Sequence, residues 1–153
     1  DSADTEYFES YIKQQLDHPL IEFIGEINEE QKSDFLGNAL ALLFPINWDE
    51  PFGMVMIEAM ACGTPVIAFE RGSVPEIIEN GQNGFIVHSE KEAVNAVHQL
   101  NTVDRKKIRT IFEERFTSRR MADDYLQLYQ SLIQKKKVDD RLFTISNSKL
   151  SVV

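Results

Sequence analysis

Apolar residues along this chain switch repeatedly between helical stripes and short continuous runs. Tyr7, Phe8, Tyr11, Ile12 and Leu16 recur at helical spacing, which predicts an amphipathic helix. His18-Pro19 closes it, because the residue before a proline avoids helical geometry. Leu20 to Gly25 then reads as a strand. Asn28, with Gln31 three residues on, has the pattern of a capping box and predicts a helix with Phe35, Leu36 and Ala39 facing inward. Leu40 to Phe44 is a nearly uninterrupted apolar run, suited to a strand covered on both faces. A loop, 45–51, precedes a very apolar helix over about 52–61, which Gly63 would stop. Residues 64–69 form a third strand, and the turn Arg71-Gly72-Ser73 leads to a short helix over 74–79. Asn80-Gly81 and Asn83-Gly84 are turn signals ahead of a fourth strand at 85–87. Ala93, Val94, Val97 and Leu100 form one further helical stripe, and Ile108, Ile111 and Phe112 another. Thr117-Ser118 can cap a last long helix with Met121, Tyr125, Leu128, Tyr129 and Leu132 inward.

Four strand–helix alternations between residues 20 and 100 imply an α/β fold, a Rossmann-like parallel sheet with helices on both faces. Ligands of such sheets sit at the carboxyl ends of the strands. The loops to watch are therefore 26–28, 45–53, 69–73 and the turn after Val87. Composition changes this picture little: 153 residues, 42% apolar and 27% charged, suit one domain with a real core. The charge changes it more. A formal net charge of −9 argues against a nucleic-acid binder that relies on phosphate contacts. It leaves room for one phosphorylated small molecule, which helix ends and local bases can hold. The single cysteine, Cys62, excludes an intrachain disulfide framework and a Cys-rich zinc site, and fits a reducing compartment. The longest apolar stretch, Ala39 to Ile46, contains Pro45 and is far too short for a membrane span. The chain opens on Asp1 without a secretory pattern or an initiating Met, which suggests a piece of a longer protein. Lys135-Lys136-Lys137 reads as a solvated helix end, and the following tail as an extension whose Leu142, Phe143 and Ile145 could dock elsewhere.

The chemistry concentrates in residues 49–63, Asp-Glu-Pro-Phe-Gly-Met-Val-Met-Ile-Glu-Ala-Met-Ala-Cys-Gly. Glu50 lies in a loop at a strand's carboxyl end, and Pro51 suits a first helical turn. Gly53 lets a ligand approach the backbone, and the amides of Gly53, Met54 and Val55 would point out of the helix start as an anion site. Glu58 stands among Met56, Ile57, Ala59, Met60 and Ala61, where a carboxylate is costly unless bonded. Two adjacent ribose hydroxyls would satisfy both of its oxygens. A neighbouring backbone or an arginine would do so equally, and Glu50 could simply cap the helix. Other chemistries find less support. Cys62 falls at a small-residue position at a helix end, where burial is the simpler reading than a nucleophile paired with His18, His88 or His98. Those histidines lack metal-binding spacing, so no metal site is expected. There is no Asp-x-Asp triplet, and Ser73 and Ser118 lack a Gly-x-Ser-x-Gly setting. Glu76 suits a brace for its short helix.

The run Glu50-Pro-Phe-Gly-Met-Val-Met-Ile-Glu58-Ala-Met-Ala-Cys-Gly-Thr-Pro-Val-Ile-Ala resembles the E-x7-E signature of retaining, GT-B-fold glycosyltransferases of family 4. Gly72-Ser73-Val74-Pro75-Glu76-Ile77-Ile78, followed by Asn83-Gly84-Phe85-Ile86-Val87, resembles that family's next stretch, usually Gly-Gly-x-Pro-Glu. Phe23-Ile24-Gly25-Glu26-Ile27 is similar to the preceding strand and loop, and 116–129 to the closing helix. The likeness runs from about residue 20 to 133 with its elements in order. Ser73 departs from it where a second glycine is usual, and its Cβ disfavours a positive φ.

The resemblance implies an enzyme, a hexosyltransferase-like glycosyltransferase, and roles for particular residues. Glu58 would bind the donor's ribose hydroxyls. Glu50, the catalytic candidate, would contact hydroxyls of the donor sugar. Phe52 and Gly53 would hold that sugar through their amides, while Gly53, Met54 and Val55 hold the diphosphate. Ile27, with the loop reaching Lys32, would line the nucleobase pocket. Residues 1–138 would be a partial nucleotide-sugar-binding domain lacking its first strands, the incomplete C-terminal half of a GT-B fold, and 139–153 an extension. No cofactor is implied beyond the donor substrate, a UDP- or GDP-type sugar. The acceptor, a sugar or lipid-linked sugar, would be held by the missing N-terminal domain, and the basic residues that neutralise the diphosphate would lie upstream of Asp1. The fragment alone would then be inactive, and the parent cytoplasmic or peripheral to the inner face of a membrane. Two other readings stay open: a non-catalytic nucleotide-sugar-binding or interaction module, and another GT-B enzyme such as an epimerase.

Overall fold

A computed structural model describes the backbone of residues 4–149 and the side chains of residues 4–136. The chain divides into two compact units, Asp1–Phe35 and Leu36–Val153. In the first unit, α1 (Thr5–Tyr7) continues as a π turn, Phe8–Ile12, and a 3-10 turn, Lys13–Gln15. One stacked pair, Tyr7 on Tyr11 with ring centroids 5.5 Å apart, and one ion pair, Lys13 to Glu9 at 2.7 Å, run along this segment at the expected helical spacing. The strand expected at 20–25 does not form. Residues 21–28 have no regular secondary structure, and Leu20 and Phe23 are exposed. A strand exists only through its ladder partner, and the sheet is built from three later segments. The capping box at Asn28 does form. Asn28 N–H donates to Gln31 Oε1 at 3.2 Å and Gln31 N–H donates to Asn28 Oδ1 at 2.9 Å. It opens α2 (Glu29–Asn38), within which the division between the units falls. Leu36 is buried as expected, but Phe35 is exposed, so the inward seam of this helix is narrower than its apolar residues suggest.

The second unit holds three parallel strands, β1 (Leu42–Phe44), β2 (Val66–Phe69) and β3 (Gly84–Val87), in the order β1-β2-β3. Leu42 pairs with Val66, and Val66 with Gly84. Each link carries a helix, α3 (Met54–Ala61) before β2 and α4 (Val74–Ile77) before β3. After β3 come α5 (Glu90–Val97), α6 (Arg105–Arg115) and α7 (Ser118–Lys149). The alternation expected from the sequence thus holds from β1 onward, with three strands in place of four.

β2 is the covered strand. Its side chains alternate between two clusters: Val66 and Ala68 pack with Met56, Met60, Val74 and Ile108, while Ile67 packs with Val87, Ala96 and Leu100. β1 departs from the expectation of cover on both faces. Leu42 and Phe44 pack against the first cluster, but Leu43 is 58% exposed. β1 is an edge strand, and no described element of the second unit covers its second face at Leu43. Gly84 opens β3 because nothing larger fits: a Cβ there would lie 2.1 Å from Val66 O. The last helix departs from expectation too. Thr117 caps it, accepting from Arg120 N–H at 3.3 Å, but its backbone runs on past the lysine triplet to Lys149. Met121, Tyr125, Leu128, Tyr129 and Leu132 are all more than half exposed, because no described layer of the second unit lies across that side. The side chains of Leu142, Phe143 and Ile145 lie outside the described residues. Among the described residues no helix is long and apolar enough to cross a membrane.

One polar knot anchors α6 to the segments around β1 and β2. Arg105 donates to Ala39 O at 2.8 Å, to Gly37 O at 2.7 Å and to Thr64 Oγ1 at 2.9 Å. Thr64 is fully buried, and its Oγ1–H donates to Leu36 O at 2.7 Å. Arg105→Ala removes the donor from two carbonyls and a buried hydroxyl at once. It should cost about 2–3 kcal/mol in urea unfolding, the range for hydrogen bonds to a charged partner. A midpoint equal to wild type would show that the knot carries no stability.

Candidate active site

The loop 45–53 leaves β1 at its carboxyl end and turns into α3. Its shape is set by a second loop, which leaves β2. Gly72 adopts φ +50, and a Cβ on it would lie 2.2 Å from Glu50 O and 2.5 Å from Glu50 N. Only glycine permits that approach together with that backbone angle. The next residue, Ser73, donates its N–H to Glu50 O at 2.8 Å. The two strand-end loops are stitched together at Glu50.

The Glu50 side chain turns back over the start of α3. Its Oε1 accepts from Gly53 N–H at 2.9 Å and from Phe52 N–H at 3.4 Å, and its Oε2 accepts from Trp48 Nε1 at 3.2 Å. A carboxylate here meets the positive end of the helix dipole. This arrangement moves the helix start. Expected near residue 52, α3 begins at Met54, with Gly53 as its N-cap at φ +78 and ψ +54. Pro51 and Phe52 therefore lie outside the helix. Met56 N–H donates to Gly53 O at 3.0 Å, and the amides of Met54 and Val55 precede it. Of the three amides expected to face an anion, the first is already occupied by Glu50.

Glu58 lies one turn beyond Met54 and Val55, on their side of the helix by the i, i+3 and i, i+4 rule. It is half-buried, while Met56, Ile57, Ala59 and Met60 are buried. The site thus brings Glu50, Phe52, Gly53, Met54, Val55 and Glu58 into one loop and two helical turns. Phe52 and Met54 are about half exposed and rim it. Ile27 and Lys32 belong to the first unit, where Ile27 is half-buried and Lys32 pairs with Glu29 at 2.6 Å. Cys62 is half-buried at the opposite end of α3, as its C-cap, far along the helix from Glu50.

The carboxyl ends of the strands, where a ligand is expected, open onto a cavity. Its volume is about 360 Å3, and it is lined by Ile46 and Asn47 after β1, Glu70 and Arg71 after β2, and His88 after β3. His88 Nδ1 is 3.3 Å from Glu70 Oε2. A second, apolar cleft of about 440 Å3 begins at Phe52 and continues along Phe116, Met121, Tyr125 and Leu128. One contributor escapes sequence reasoning. Trp48 bonds the key carboxylate, although its two-residue spacing from Glu50 carries no recognisable motif. Ser73 is 8% exposed, and its Oγ is a buried side-chain atom without a hydrogen-bond partner.

Residues 1–119 match the family described as Glycosyl transferases group 1. The chain belongs to that family. A D-inositol 3-phosphate glycosyltransferase of Stackebrandtia nassauensis is 34% identical over 102 residues, 62% of this chain and 23% of the relative. Spore coat protein SA of Bacillus subtilis is 35% identical over 92 residues, 54% of this chain and 24% of the relative. Among solved structures, a sucrose-phosphate synthase from Thermosynechococcus elongatus superposes with a TM-score of 0.72 at 28% identity, covering 87% of this chain and 35% of that one. HepE of Anabaena, solved in complex with UDP-glucose, superposes with a TM-score of 0.70 over 83% of this chain and 38% of that one. At 22% identity HepE is a likeness of fold. The chain spans about a quarter of the curated relatives it matches. As a group 1 glycosyltransferase chain it has the Rossmann-like α/β architecture of the GT-B fold, with the Glu50–Glu58 segment at the carboxyl end of its sheet.

The two glycines of this site separate backbone strain from crowding. At Gly53 a Cβ would meet Met56 Cε at 2.2 Å, the movable end of a flexible side chain. At Gly72 it would meet backbone. Gly53→Ala should therefore cost about 1–2 kcal/mol, the left-handed penalty alone. Gly72→Ala should cost about 2–4 kcal/mol, because strain and a clash with fixed atoms act together. Thermal unfolding of both variants checks this order, and equal losses would mean that the Glu50 loop yields as easily as a methionine.

Proposed function

We propose that this chain is the donor-binding part of a retaining glycosyltransferase. The parent moves a sugar from a UDP- or GDP-type nucleotide sugar to an acceptor hydroxyl, with retention at the anomeric carbon. The observation that supports this most is the juxtaposition at α3 within a group 1 family chain. Two unclaimed amides at a helix start, Met54 and Val55, stand beside one acid that caps that start and another one turn along it. The comparisons add that family relatives are named as glycosyltransferases and that a chain of the same fold has been solved with UDP-glucose.

In this reading the donor diphosphate meets the amides of Gly53, Met54 and Val55. Glu58 accepts from the ribose hydroxyls. Glu50 accepts from hydroxyls of the sugar, helped by the amides of Phe52 and Gly53. The helix start stabilises the charge that builds on the departing diphosphate, which is where preorganised amides lower the barrier most. Basic residues outside this chain complete that neutralisation. The acceptor, a sugar or lipid-linked sugar, is held by a domain outside it, and the parent works in the cytoplasm or at the inner face of a membrane. No cofactor takes part. The 153 residues alone bind nucleotide weakly and transfer nothing.

Two substitutions in the full-length parent test the roles. Glu58→Ala should weaken UDP or GDP binding by about tenfold in calorimetry, the value of a charge-assisted hydrogen-bond pair. Unchanged affinity would remove Glu58 from the ribose. Glu50→Ala should lower kcat by a factor of about 100, because its contact matures in the transition state. Normal turnover would exclude Glu50 from the sugar. Transfer of sugar by the isolated 153 residues, assayed with UDP-glucose and GDP-mannose, would contradict the division of labour proposed for the two domains.

A further inference from the structure

We propose that Ser73 is a positioning residue of this site: its hydroxyl receives the Glu50 carboxylate when a bound nucleotide sugar claims the Gly53 amide. The inference rests on the donor-site reading above and adds a residue to it. Ser73 is more than nine-tenths buried, and its Oγ has no hydrogen-bond partner. A buried polar atom without a partner is unfavourable and calls for a physical reason. The rest of Ser73 is fully used, with its N–H donating to Glu50 O at 2.8 Å and its carbonyl accepting from Glu76 N–H at 3.0 Å. Only the hydroxyl is idle.

The hydroxyl is also in the right place. The point where a Gly53 Cβ would sit is 3.6 Å from Ser73 Oγ and 3.5 Å from Glu50 Cγ. The idle donor and the acid thus flank one side of the same glycine, which is the N-cap of α3. The third neighbour of that point is the apolar Met56 Cε. Glu50 holds the Gly53 amide in the free chain. A diphosphate that takes this amide displaces one carboxylate bond and brings like charge toward Glu50. A change of side-chain rotamer then turns the carboxylate to Ser73 Oγ–H, so that the acid loses no donor and the hydroxyl gains its acceptor. The backbone bond between the two residues keeps them together while the side chains exchange.

Backbone geometry gives no competing reason for either residue type at position 73. Ser73 has φ −74 and ψ −8, an ordinary conformation that does not require the glycine usual there. The serine therefore relieves no strain; over glycine it adds a Cβ, which restricts the unfolded chain, and the hydroxyl, which alone can bond an acid.

Ser73→Ala in the full chain tests this through two readouts that a purely structural hydroxyl would not drive apart. Thermal unfolding reports the free state, and titration with millimolar UDP-glucose, followed by the Gly53 amide in NMR, reports binding. The expected result is a Tm equal to or above wild type with an affinity about tenfold weaker, because the free state loses no bond and the bound state loses one. Ser73→Gly should weaken binding likewise. Affinity within about twofold of wild type would overturn the inference while leaving the donor site standing. So would a lowered Tm in Ser73→Ala, which would mean that the hydroxyl already has a partner in the free chain. Absence of UDP-glucose binding by the wild-type chain and by the full-length parent would remove the donor-site reading, and this inference with it.

Discussion

The Glu50 carboxylate on the amides just ahead of α3 is the contact around which the site is arranged. It sets where the helix starts, because a cap on Gly53 N–H and Phe52 N–H leaves Met54 as the first helical residue. It also decides which amides face outward and which is already taken. The carboxylate does there what an anion would do, so the free chain carries its own occupant at the helix start. The helix dipole favours both guests, and the difference between them is what they offer in return.

That contact depends on a backbone approach from the neighbouring strand. Gly72 lies against Glu50 closely enough to exclude any side chain, and Ser73 N–H bonds Glu50 O. The loops from β1 and β2 therefore behave as one structure at the carboxyl edge of the sheet. β2 supplies the rigid base, with both of its faces packed, and the Arg105–Thr64 knot fixes the opposite end of α3 and its following turn. The side chains of the site are thus carried on loops tied to each other and to a packed strand.

Much of this was legible in the residues. The capping box at Asn28, the stop at Gly63 and the strand–helix alternation from β1 to β3 each follow from a local rule, and each formed. The candidate segment around Glu50 and Glu58 stood out because two acids in an apolar stretch need a reason. The failures share a cause. The run at 20–25, both-sided cover for β1, and an inward face for Tyr125, Leu128 and Leu132 on α7 were all inferred from apolarity, which says that a surface wants a partner without supplying one. Where their own unit supplies no neighbour, the same residues are exposed.

The sequence by itself determined the element types, the parallel α/β layer and the short stretch that carries the chemistry, because periodicity and turn residues act within a few positions of each other. Only the tertiary structure decided that Gly72 leaves no gap above Glu50 and that Ser73 has an idle hydroxyl beside it. Those facts depend on which loop the next strand brings alongside. Contacts across some twenty residues are fixed by how strands pack, and no local pattern encodes them.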